Sequence, residues 1–217
     1  MSPPSNPWGP PRLDPKAMER ALAASRAELA LKQPVRRWRS QALGLFAASA
    51  GLALAVMGVL LALGRTTGAM LMGRAPLLAM LLSTSAVCAW GAIAPRRRGL
   101  RQVGVGMAMV AAMLLVLMRA APREPSSLPE WVCTVSHLAL ALVPLVVALV
   151  GLRSAAFDPL RAAVAGLSVG TVGAFVGELA CEQGPGHVAT YHLGAWALVV
   201  LTTWALSKRI QPRTYAP

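Results

Sequence analysis

The chain has 217 residues, of which 56% are apolar and only 13% charged, and its mean hydropathy is +0.56. Soluble domains carry about a quarter charged residues, so this composition excludes intrinsic disorder and departs strongly from an ordinary water-soluble domain. Three cysteines cannot build a disulfide-dense module. The net charge of +13 would suggest nucleic acid in a soluble protein, but here Lys and Arg cluster between apolar runs, as topology-setting loops do. The expectation is an integral membrane protein with no direct nucleic-acid binding.

Residues 1–40 read as a separate arm. Its first twelve residues, MSPPSNPWGPPR, are Pro-rich and expected to be extended, because proline removes a donor and disfavours helix in its predecessor. Asp14-Pro15 reads as an N-cap with proline at the first helical position, and Pro34 as a stop, which predicts a helix over about 15–33. Met18, Leu22 and Leu29, with Ala21 beside them, share one face that Ser25 interrupts. A single short helix cannot bury such a stripe, so it needs a partner or the membrane surface. No continuous apolar run of signal-peptide type precedes it, so the arm is expected to survive in the mature protein.

Six apolar stretches follow, at 41–63, 75–94, 103–118, 131–152, 160–180 and 191–206, with a basic tail over 208–217. A helix crossing the hydrocarbon needs about 20 residues. The third and sixth stretches are short and are expected to draw on their flanks, with Arg119 and Lys208 snorkelling outwards. Trp38, Trp131 and Tyr191 stand at stretch ends as aromatic anchors do. With the N-terminus inside, fourteen Lys and Arg residues lie in cytoplasmic segments near the membrane and four (Arg65, Arg74, Arg119 and Arg123) in outside loops. The positive-inside rule therefore predicts both termini in the cytoplasm, which an even number of spans permits. The predicted fold is an all-α membrane protein, a six-helix transmembrane bundle with a short cytoplasmic amphipathic helix.

No nucleotide-binding, metalloprotease or nucleophile-elbow motif is present, so nothing positive supports an enzyme. Chemistry-bearing residues gather at the outer level instead. Cys133 and His137 stand four apart at the start of the fourth stretch and project from one side of it. Cys181, His187 and His192 lie around the next connection, CEQGPGHVATYH. Thiolate and imidazole are the preferred ligands of zinc and related ions, so these five residues are a candidate metal site. A Cys133–Cys181 disulfide is the alternative, and polar residues at a wet helix end with no shared role are a third. Gly166, Gly170, Gly173 and Gly177 form a small-residue stripe that Cys181 extends, which is expected to face the antiparallel fourth span. Glu178 is expected either to pair with a histidine above it or to stay a neutral acid near the interface. Cys88, inside the second span, reads as a small apolar filler.

Three features resemble the NrsF-type anti-sigma factors. The first is a short helix ending in Pro34-Val35-Arg36-Arg37 just before the first span. The second is the cysteine pair at the outer ends of the fourth and fifth spans, Cys133 and Cys181. The third is the terminal stretch from Cys181 to Arg209, with a loop, an aromatic-His pair (Tyr191-His192), a last span and a basic tail. The architecture is similar also to CarR-type membrane anti-sigma factors. The resemblance implies a multi-pass protein of the bacterial inner membrane whose partner is an extracytoplasmic-function sigma factor. It implies that Met18, Ala21, Leu22 and Leu29 bind that factor, and that a signal sensed at Cys133 and Cys181, with His137, His187 and His192 nearby, releases it. The competing reading is a small transporter or channel subunit with an outer Cys/His site for admitting metal.

Overall fold

Asp14 caps α1 (Pro15–Leu31): its Oδ1 accepts the Lys16 N–H at 3.1 Å and its carbonyl accepts the N–H groups of Ala17 and Met18. The computed structural model describes residues 14–31, 38–95, 97–119, 129–153 and 155–210, excepting the side chains of residues 28–31. Every described side chain of α1 is exposed, with Met18 at 53% and Leu22 at 50%, so the apolar face anticipated there is bare. The Leu29 side chain, the Pro34-Val35-Arg36-Arg37 segment and the tail beyond residue 210 lie outside the described residues.

Six helices are long and apolar enough to cross a bilayer: α2 (Trp38–Ala62), α3 (Gly68–Ile93), α4 (Arg98–Leu117), α5 (Trp131–Leu152), α6 (Pro159–Ala180) and α7 (Pro185–Ile210). Among the described residues there is no strand. Several helices start earlier than hydropathy predicts. Thr67 caps α3 by accepting the Met70 N–H at 3.3 Å, so that helix begins at Gly68 and carries Pro76 inside it. The arginine-rich first turn of α4 is helical from Arg98, because Arg101 is neutralised by Asp158 and hydrogen-bonded to the Gly91 carbonyl at 2.9 Å. α7 opens with a turn at Pro185–His187, runs as a π-helix over Val188–Leu193, and is regular from Gly194 to Ile210.

α6 is the axis of the bundle. Fifteen of its 22 residues are buried, against five on α5, and it touches every other span. Its buried sequence is largely Gly, Ala, Ser, Thr and Val, which lets neighbouring backbones come close; in lipid such van der Waals approach, not water exclusion, holds helices together. α5 shows the complementary pattern, with one buried stripe of His137, Ala141, Pro144, Ala148 and Leu152 and apolar residues elsewhere facing outwards. Cross-helix hydrogen bonds fix the register. Ser168 Oγ donates to the Ser85 carbonyl at 3.0 Å, and Ser85 Oγ donates to the Ser168 carbonyl at 3.3 Å, joining α3 to α6. Trp196 Nε1 of α7 donates to the Leu167 carbonyl of α6 at 3.0 Å. Cys88 is fully buried against Gly104, the filler role expected of it.

Candidate functional site

The site forms where α5 begins, α6 ends and α7 begins. Cys133 sits in the first turn of α5, half-buried, and His137 lies one turn deeper at 2% exposure. The neighbouring Thr134 hydroxyl donates to the Tyr191 carbonyl at 3.1 Å, which docks the π-helical part of α7 against α5. Cys181 ends α6 in an extended conformation: its N–H reaches the Gly177 carbonyl at 3.0 Å, and its side chain is turned into the bundle. Pro185, suited to a first helical turn because it has no N–H to satisfy, then starts α7 and places His187 and His192 above the end of α6.

These elements enclose a cavity of about 250 Å³ lined by both cysteines, all three histidines, and Glu130 and Glu182. One ligand atom from each of Cys133, Cys181, His187 and His192 falls within 4.8 Å of the others. Both cysteines are free thiols. The His192 ring centroid is 5.5 Å from that of His187 and 6.2 Å from that of His137. His137, the fifth residue predicted for this group, stands behind the other four. Its Nε2 donates to the Gly170 carbonyl at 3.0 Å, which fixes the tautomer and leaves Nδ1 without a partner among the described residues.

The glycine stripe of α6 explains how imidazoles fit at the centre of a helical bundle. A Cβ added at Gly173 would fall inside the His137 ring, and one at Gly177 would collide with His192. At Gly166 it would come 2.6 Å from the Val200 Cα, and at Gly170 it would enter the Trp196 ring. The stripe therefore faces α7 at three of its four positions, and α5 only at Gly173. The expectation that it faces α5 is corrected: α7 carries the bulky Trp196 and His192, which need the notches.

Below Cys181 lies an ion cluster. Arg74 of α3 and Arg119 at the end of α4 both converge on Glu178 of α6, at 3.4 Å (Nε to Oε1) and 2.9 Å (Nη2 to Oε2). Arg119 also donates to the carbonyls of Cys181 at 2.5 Å and Gly177 at 3.3 Å, and Arg74 donates to the Glu178 carbonyl. Arg119 thus points inwards, with its side chain 7% exposed, instead of snorkelling. Glu178 pairs with two arginines, neither with a histidine nor as a lone neutral acid. A buried carboxylate near lipid is costly without opposite charge, and the unfilled carbonyls at the end of α6 attract the same guanidinium.

A family model described as negative regulator of sigma F, NrsF, matches residues 22–211. The chain belongs to the NrsF family. Among curated proteins, the carotenogenesis protein CarR of Myxococcus xanthus is 61% identical over 207 residues, covering 95% of this chain and 94% of that protein. No solved structure matches. The resemblance drawn from Cys133, Cys181 and the terminal stretch is thereby borne out.

For an NrsF-family chain, the sequence exposed the cysteines and histidines but not what holds them. Arg119 carried a signal, an arginine directly at the end of an apolar stretch, and Arg74 stood alone in an otherwise apolar segment. Their common target, Glu178, is distant in sequence from both, and hydropathy carries no pairing information. The arm residues Met18, Ala21 and Leu22 lie on α1 and are not part of this cavity.

Proposed function

We propose that this chain is a membrane-bound anti-sigma factor of the bacterial inner membrane. It holds an extracytoplasmic-function sigma factor inactive through its N-terminal arm and releases it on an envelope signal received at the Cys/His end. The observation that carries the reading is membership of a sigma-regulator family over residues 22–211. The arm supports it: Met18, Ala21 and Leu22 are exposed on a helix that cannot bury its own stripe. With Leu29 they dock in a groove of the sigma factor as an amphipathic helix does, hiding a surface the polymerase needs. The bias of Lys and Arg towards the arm side supports a cytoplasmic N-terminus and C-terminus, with Cys133 and Cys181 facing the envelope.

A signal shifts such an equilibrium only if it interacts differently with the holding and releasing arrangements. Cys133, Cys181, His137, His187 and His192 belong to three different spans or span ends, so any change in what links them alters how α5, α6 and α7 pack. Nothing in the site suggests turnover of a substrate, and the family is one of regulators.

Capture of the sigma factor by the full-length protein in membranes tests the first half. Leu22→Asp together with Leu29→Asp should weaken capture by at least about tenfold, since each puts a charge into an apolar contact; unchanged capture would count against the arm as the binding face. For the second half, Cys133→Ser and Cys181→Ser should change target transcription under oxidant or heavy-metal stress. An identical response in both variants would remove the sensing role.

A further inference from the structure

His187 and His192 are five residues apart, a spacing that regular α-helix winding sends to different faces, about 140° apart. Between them α7 is π-helical over Val188–Leu193. Bonding from i to i+5 stacks residues five apart, and such segments occur mostly as single turns at functional positions. The irregular turn brings both imidazoles to one side, with centroids 5.5 Å apart, and that side carries Cys133 and Cys181. Both imidazoles keep ring nitrogens without a hydrogen bond among the described residues. His192 is 5% exposed and its Nε2 has no hydrogen-bond partner among the described residues; neither ring nitrogen of His187 has one. A buried polar atom without a partner is costly, and native proteins rarely leave one without a reason.

The geometry points to a binding site for one divalent metal ion of the soft or borderline class, zinc above all, held by the sulfurs of Cys133 and Cys181 and one nitrogen each of His187 and His192. This deepens the sensing part of the proposed function, on which its regulatory meaning rests, by naming the ligand class of that site. In a tetrahedral zinc site with these bond lengths the ligand atoms lie about 3.3–3.8 Å apart. The observed spread, within 4.8 Å, needs a contraction of only about 1 Å. Cys181 and the following residues 182–184 are not helical, so that contraction does not require a span to move. The ion displaces two thiol protons, and two thiolates neutralise its charge, which suits a site at the edge of a low-dielectric region. His137 is committed to Gly170 and lies behind the ligands, and the carboxylates of Glu130 and Glu182 line the same cavity. Occupied, the site ties the start of α5, the end of α6 and the start of α7 to one ion.

The test is cobalt(II) and zinc(II) titration of the full-length, reduced protein in detergent. The expected result is one equivalent per chain, with the visible bands of tetrahedral cobalt and a thiolate-to-cobalt charge-transfer band, both erased by zinc. Cys133→Ser, Cys181→Ser, His187→Gln and His192→Gln should each weaken binding by at least about tenfold, the lower range for losing even an outer partner of a metal site. Cys88→Ala should leave binding unchanged. Absence of the charge-transfer band in the wild type, which needs no variant to fold, overturns the site. So do histidine variants that bind as tightly as the wild type, and so does an unreduced preparation with a Cys133–Cys181 disulfide and no metal. Sigma capture is measured on the same preparation before and after metal is added: capture without a cobalt spectrum overturns the ion site alone, whereas a cobalt spectrum with capture in neither state overturns the anti-sigma reading alone.

Discussion

Single atoms decide the Cys/His end. Glu178 is flanked by two guanidiniums, and the ion pairs hold the end of α6 to α3 and α4 just below Cys181. Removing one partner from a buried ion group leaves the others uncompensated, a change worth about 3–5 kcal/mol. Glu178→Gln should therefore lower the unfolding midpoint of the full-length protein in detergent, and should raise the reactivity of Cys181 towards a membrane-impermeant thiol reagent. An unchanged midpoint would show that the arginines find water instead. Gly177→Ala tests the notch. Its Cβ meets the His192 ring, so overpacking should cost about 1–3 kcal/mol, and cobalt affinity should fall because a proposed ligand is displaced. The arginine partners of Glu178 were not legible in the sequence; the stripe that includes Gly177 was, but not that Gly177 makes room for His192.

At the scale of elements, two helices depart from simple expectation in opposite ways. α1 is a 17-residue helix whose described side chains are all exposed, so it lacks the packed face from which helices in proteins draw most of their stability. Hydrogen exchange of the full-length protein should find the amides of residues 15–31 poorly protected, and adding the captured sigma factor should slow them. Exchange that stays fast in the complex would place the contact elsewhere. α7 is longer than its hydropathy suggests, because the polar stretch HVATYH winds into the helix as its opening and π-helical turns. The sequence shows His187 and His192 five apart. Winding alone determines whether that spacing diverges or converges, and local pattern does not report a π-turn.

For the molecule as a whole, the Lys and Arg bias predicts an arm in the cytoplasm and a Cys/His end outside. Reporter fusions after residue 30 should be active only with a cytoplasmic reporter, and fusions in the 120–128 connection only with an exported one; the reverse pattern would separate the arm from any cytosolic partner. The number of spans, the helical arm and the family were determined by sequence alone, because hydrophobic length and periodicity are local properties that lipid and water read directly. Which side each small-residue stripe faces, that Arg74 and Arg119 close on Glu178, and that two cysteines and two histidines bring their ligand atoms within 4.8 Å of one another were decided only by the tertiary structure. Those contacts join residues far apart in the chain around α6, and in a bilayer, where apolar surface alone does not choose a partner, close packing and polar satisfaction make the choice.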